Sequence, residues 1–209
     1  MNISLFICSI TCTLVEELNL RYLYALMGIF LLLAASAAGG SFIPVMDVDT
    51  YVDANNANQS YTDSDILMVS SQDGKSTTQV YLSFNNSFGR ELIFSPEQIK
   101  SATLTLNATN VEKAGKIRAY FLEGAVLDTV TWYDKIDYDS EVSSSPQEVD
   151  QVGSYTLDVT DIIKKAVESC TETCPYTIAL VAEDGASVEF ASREASVENK
   201  PFVEYRTEE

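Results

Sequence analysis

From Thr131 to Glu141 the chain reads TWYDKIDYDSE and sets three aromatic rings among four carboxylates. Such a mixture suits sugar recognition. The CH groups of a pyranose pack on an aromatic face, and carboxylates accept hydrogen bonds from hydroxyls. Tyr133 and Tyr138 are the candidate stacking faces, and Asp134 and Asp137 the candidate acceptors. Trp132, the only tryptophan, is expected at the edge of a core. Asp137, Asp139 and Glu141 can also be read as oxygen ligands spaced along a loop for Ca2+. The glycine and twelve-residue spacing of an EF-hand are absent, and a solvated acidic loop is the plainer reading. Asp47, Asp49 and Asp53 form a second acidic cluster.

Arg193 and Glu194 follow an apolar run at Val188–Ala191. A guanidinium carries five donors in a planar fork and can tie carbonyls and a carboxylate together. At a junction between strands this pair is expected to act as a structural brace; the alternative is an arginine that reads a uronic acid. The chain has no histidine, which removes the commonest general base and metal ligand and excludes Ser-His-Asp and Cys-His catalysis. A glycosidase needs two carboxylates flanking a cleft. Nothing marks such a pair among the many acids, so a non-catalytic role is expected.

The formal net charge is −18, from 13 basic and 31 acidic residues. Such a surface repels nucleic acid, and a nucleic-acid partner is not expected. Near the N-terminus, LRYLYALMGIFLLLAASAAGG has a positive flank at Arg21, an apolar core from Tyr22 to Ala35 and an A-x-A site. It reads as a secretory signal cleaved between Ala37 and Ala38. The run is short for a bilayer span, so contact with a membrane is expected only through an uncleaved leader. The organisation expected is a leader over 1–37, an apolar segment over 38–46 and a folded domain over 47–209. Export to an extracellular or cell-surface location permits a disulfide, and Cys170 and Cys174 are the candidate pair. Three sequons, at Asn58, Asn85 and Asn107, would be exposed glycosylation sites in a glycosylating host.

The elements that must position these groups are short strands. In SATLTLNAT, Ala102, Leu104, Leu106 and Ala108 share one face, and Thr103, Thr105 and Asn107 share the other. Ile117, Ala119 and Phe121 repeat the pattern, as do Tyr155, Leu157 and Val159, and Tyr176, Ile178 and Leu180. Ile66–Ser70 and Val80–Phe84 are further strands. The Asn-, Asp- and Ser-rich stretch from Asp53 to Asp65 is a loop. One helix is expected after Thr160 or Asp161 as cap, with Ile162, Ile163, Ala166 and Val167 on its apolar face. Many short strands with one short helix give an all-β, antiparallel β-sandwich.

The ordered pieces DTYVD, VYLSFN, IKSATLTLNAT, VTWYD, YTLDVTDIIKKAV, IALVAED and VEFASREASVENKPFVEY span about residues 47 to 206. Together they resemble the DNRLRE domain family, also classed as carbohydrate-binding module family 96. The resemblance implies a jelly-roll β-sandwich of secreted and cell-surface proteins, often beside polysaccharide-degrading or adhesion modules. It implies a polysaccharide or surface glycan as partner, and acidic polysaccharides for some members. A second expectation is structural. The segment SFIPVM, Ser41–Met46, can add as a strand to a neighbouring copy and build a homopolymeric filament or sheath, assisted by Ca2+.

Overall fold

In β5 (Ile99–Lys113), Ala102, Leu104, Leu106 and Ala108 are buried, whereas Thr103 is exposed and Thr105 and Asn107 are half-exposed. The period of two therefore builds this strand as expected, with one face on a core and one in water. The molecule is seen in a computed structural model that describes residues 39–85, 88–169, 174–196 and 199–207. Its other strands are β1 (Ser41–Phe42), β2 (Met46–Asp53), β3 (Ile66–Gln72), β4 (Lys75–Phe84), β6 (Gly115–Glu123) and β7 (Asp139–Ser143). They continue with β8 (Gln147–Val149), β9 (Gly153–Asp158), β10 (Tyr176–Glu183), β11 (Ser187–Ala191) and β12 (Phe202–Thr207). The single α-helix among the described residues, α1, spans Thr160–Glu168.

All strand pairs among these residues are antiparallel. One layer runs β2–β4–β10–β6, with β7 and β8 along the outer edge of β6. The other is built on β5, which pairs with β9 on one side and with β12 and β11 on the other; β3 lies beyond β11 and β1 beyond β12. The β3–β4 hairpin joins the layers through Asp73 and Gly74, both at positive φ. Asp-Gly suits that two-residue turn, because both central residues must adopt a left-handed conformation. Between the layers Leu82, Leu180 and Ile117 meet Leu104, Val188, Phe190, Val203 and Tyr205 in one core. Each large side chain sealed there contributes about 1.5–3 kcal/mol. The chain is an all-β sandwich, as the alternation predicts.

Three differences from the sequence reading have physical causes. First, α1 is capped neither by the Thr160 nor by the Asp161 side chain; the cap position falls on Val159. Asp158 supplies the acceptor, taking Thr160 N–H at 3.0 Å, while the Thr160 hydroxyl accepts Ala102 N–H at 2.9 Å and ties the helix to β5. The expected apolar face, Ile162, Ile163, Ala166 and Val167, is buried. Second, Ser41 and Phe42 pair with Arg206 and Tyr205 of β12, and Phe42 stacks on Tyr205 at 5.6 Å. The start of the apolar segment thus serves its own sheet, whereas strand donation to a neighbour needs it free. Third, Asp139–Ser143, expected within an acidic loop, is a strand paired with β6.

Residues 1–38 lie outside the described residues, and with them the cleavage pair Ala37 and Ala38. Cys170 also lies outside them, so the expected Cys170–Cys174 bridge is not described. Among the described residues no helix is long and apolar enough to cross a membrane.

Candidate functional site

The two faces of β10 differ from the expected pattern: all but its last residue are buried. Its inward side chains, Ile178 and Leu180, belong to the main core. Its outward ones are covered as well, because the chain after β6 folds back over the outside of this layer. Val126 and Val130 of that segment pack with Val52, Tyr81, Leu122 and Ala179 in a second core, and Tyr120, Trp132 and Tyr138 flank it.

Polar ties fix the cover at both ends. Gly124, at φ +87°, makes the turn out of β6 that a side chain would strain. Thr177 donates its hydroxyl to Gly124 O at 2.8 Å, and the Ser83 and Thr177 hydroxyls lie 2.6 Å apart. Ser83 Oγ accepts Val126 N–H at 3.0 Å, so this buried chain of hydroxyls is satisfied. At the far end Tyr81 donates to Ile136 O at 3.2 Å; burial pushes its phenol far above the ordinary tyrosine range.

This covering loop, residues 124–138, carries the sugar-site candidates. Trp132 is half-buried against the second core, at a core edge as expected, and Lys135 Nζ sits 5.4 Å from its ring centroid. Tyr133 next to it is 74% exposed. Its backbone is held: Tyr133 N–H donates to Ala57 O at 3.3 Å, and Asp134 Oδ1 accepts from Thr131 N–H at 2.7 Å and from the Thr131 hydroxyl. Those hydrogen bonds hold the Asp134 carboxyl below the usual carboxylate range. Tyr138 is half-buried and stacks on Tyr120 at 4.4 Å, so one of its faces is taken. Asp137 projects into water, 97% exposed, 3.5 Å from Lys135 Nζ. Asp139 Oδ1 accepts Glu141 N–H at 2.9 Å. Among the described residues no three carboxylates converge as a cation site, and Asp137, Asp139 and Glu141 are not brought together.

A second loop meets the first. The Ser60 hydroxyl donates to Asp128 O at 2.7 Å, and the Thr62 hydroxyl donates to the same oxygen. Tyr61 stacks on Tyr51 at 4.1 Å and so roots the loop on the main core; burial pushes the Tyr51 phenol up to about 12. Between the loops lies an open cleft of ≈ 500 Å³ walled by Ser60, Tyr61, Thr62, Asp63, Asp128 and Thr129. The sequence reading left out this partner loop. Its signal was the run of Ser, Thr, Asp and Tyr between Asn58 and Asp65.

The Arg193 corner is built the other way. Asp49 on β2 has no exposed side-chain surface. Its Oδ2 accepts Arg193 N–H at 2.6 Å, and its Oδ1 faces Arg193 Nε at 3.3 Å, an ionic contact without hydrogen-bond geometry. Arg193 Nη1 donates to Asp47 O, and Nε lies 3.2 Å from Glu194 Oε1. Burial raises the Asp49 carboxyl above its ordinary value, and the Arg193 backbone and guanidinium pull it back part of the way. These contacts join the end of β11 to β2, across the two layers.

Carbohydrate-binding module family 96 matches residues 44–207. The chain belongs to that family. No curated protein matches it. In this chain the exposed Tyr133 ring stands on the loop that also supplies one wall of the polar cleft, and the Arg193 guanidinium is turned onto the protein's own backbone. Of the sequons, Asn58 is exposed beside the cleft. Asn85 is exposed, but Asn86 and Ser87 lie outside the described residues. Asn107 is half-exposed, and its amide donates to Asn199 O at 3.1 Å.

Proposed function

We propose that this protein is a secreted or cell-surface, non-catalytic module that binds a glycan where loop 54–65 meets loop 124–138. Tyr133 is the stacking face, and Asp63, Asp128 and Asp134 accept sugar hydroxyls from the cleft and its rim. The observation that carries the reading is Tyr133 itself: a large ring left in water on a backbone pinned from both sides. With its backbone already fixed, the ring loses only side-chain freedom on binding, which is how an aromatic anchor keeps the ordering cost low. Membership of a carbohydrate-binding family supports the ligand class.

The non-catalytic part rests on chemistry. A glycosidase acid needs a raised carboxyl beside the scissile bond. Asp49 is pushed up by burial, but it is sealed behind Arg193. The Arg193–Glu194 pair is proposed as a brace between layers, with no part in glycan contact.

The test is binding to a panel of neutral, basic and acidic polysaccharides with calcium present. Retention on at least one glycan, lost in Tyr133→Ala at unchanged melting temperature, is expected. Silence across the panel overturns the reading.

A further inference from the structure

From Ser41 to Met46 burial alternates along an extended chain. Phe42 and Met46 pack on the main core and Pro44 is buried, while Ser41, Ile43 and Val45 are exposed. A strand with one wet face needs polar side chains there, yet this one carries Ile43 and Val45. Phe202 adds another exposed apolar side chain. Ile43, Met46 and Phe202 line an open cleft of ≈ 450 Å³ whose charged walls are Arg193, Glu194 and Lys200. Arg193 is spent on the brace, and Lys200 is in no ion pair among the described residues.

A second apolar feature stands on the connection between β4 and β5. Leu92 and Phe94 there are 68% and 69% exposed. The backbone beneath them is held. Ile93 is buried between them and donates its N–H to Phe88 O at 2.9 Å. Gln98 Oε1 accepts Phe94 N–H at 2.8 Å and Ser95 N–H at 3.1 Å, and Gln98 Nε2 donates to Leu92 O at 3.1 Å. Leu92 is at φ +60°, which a bulky side chain adopts only where its surroundings hold it. The outcome is a pre-built knob with two apolar side chains in water, between Arg90 and Glu97, both exposed.

We propose that this knob docks in the Ile43–Phe202 cleft of a second copy of the chain. The two surfaces match in kind and in sign. The knob is apolar between a cation and an anion, Arg90 and Glu97, and the cleft is apolar beside an anion and a cation, Glu194 and Lys200. In one orientation Arg90 meets Glu194 of the next copy and Glu97 meets its Lys200, which fixes the register of the contact. Leu92 and Phe94 do not line the cleft of their own chain. The contact is therefore heterologous: each copy gives its knob to one neighbour and its cleft to another, and assembly propagates unless it closes into a ring. Ser41 and Phe42 stay paired with β12 throughout, so no strand is donated.

The experiment is sedimentation of the full chain over a wide concentration range. Copies of net charge −18 repel, so the salt is set at about 0.15 M, where screening acts beyond about 8 Å. A concentration-dependent series of species beyond the dimer is expected. The knob variant Leu92→Gly/Phe94→Ser and the cleft variant Ile43→Ser/Phe202→Ser should each weaken association at least about tenfold. The knob variant should melt no lower than the parent, because glycine suits the left-handed backbone at position 92. An equal mixture of the two variants should give a discrete one-to-one dimer, since one intact knob and one intact cleft remain. Glu97→Lys and Lys200→Glu should each weaken association, and Glu97→Lys/Lys200→Glu in one chain should restore it. Tyr133→Ala should associate as the parent does.

A chain that stays monomeric at every concentration overturns the proposal. So does association that neither the knob nor the cleft variant weakens. Loss in the cleft variant alone, or a mixture of knob and cleft variants that stays monomeric, means that the cleft meets another surface, and it overturns the pairing as well.

Discussion

The Arg193 corner and the Tyr133 loop use similar residue types for opposite ends. Both combine acids with a large planar group in a segment between strands. At the corner, Asp49 is sealed, and Arg193 is fixed by Asp49, Asp47 O and Glu194. On the loop the hydrogen bonds fix the backbone, and the Tyr133 ring is left in water. What separates a brace from a binding face is where the hydrogen bonds go: to the side chain in the first case, to the chain beneath it in the second.

Breaking the corner should have the largest effect. Asp49→Ala leaves a guanidinium without its buried partner and should lower stability by about 3 kcal/mol, the low end for such pairs because Arg193 keeps part of its surface in water. Thermal melts check this, and glycan affinity of the folded protein should be unchanged. Next, Ser83→Ala removes the acceptor under Val126 N–H and should cost about 1–3 kcal/mol. It should also weaken glycan binding, because it loosens the loop that presents Tyr133. A variant that loses stability and keeps full affinity would show that the anchoring does not matter to the site. Third, Tyr133→Ala should lower glycan affinity at least about tenfold, or 1.4 kcal/mol, by calorimetric titration. Its stability should stay within about 0.5 kcal/mol of the parent, as for an exposed residue with no packing role.

Two smaller effects sharpen the contrast. Burial raises the Asp49 carboxyl in the folded state above its ordinary value of 3.8, so between 3.8 and the raised value the folded protein holds more protons than the unfolded chain. Its contribution to stability is therefore greatest below 3.8 and falls as pH rises through the raised value. Melts of the parent and Asp49→Asn across that acidic range should show the parent's relative stability declining with rising pH. The opposite slope would mean that Arg193 outweighs burial. The smallest effect is expected from calcium. Asp137, Asp139 and Glu141 do not converge, so calcium should shift the melting temperature no more than magnesium does. A calcium-specific rise, lost in Asp137→Asn/Glu141→Gln, would restore a cation to this loop.

The fold was legible where side chains alternate. Leu104 and Leu106 against Thr103 and Thr105 state their faces outright, and Ile162, Ile163, Ala166 and Val167 state the helix. The second core was harder to see, because its cover is a loop, and loops have no period. One clue was local: the run Ile178–Ala182 and the stretch Val80–Phe84 place apolar or aromatic side chains on both faces, which a strand with one wet side does not require. At the site, Tyr133 could be proposed from its type and neighbours. The loop that completes the cleft could not, because Ser60 and Thr62 meet Asp128 across a separation of more than 60 residues, with no shared pattern. Tyr138 and Tyr133 look alike in sequence, and only packing on Tyr120 tells them apart.

The most direct test of the account is to follow backbone amide shifts while a bound glycan is titrated in. The largest changes should fall at residues 59–64 and 127–134, with residues 191–195 and 200–203 silent. Changes centred on Arg193, Lys200 and Phe202, with the Tyr133 loop unmoved, would contradict it and place the ligand at the corner assigned here to the protein's own backbone.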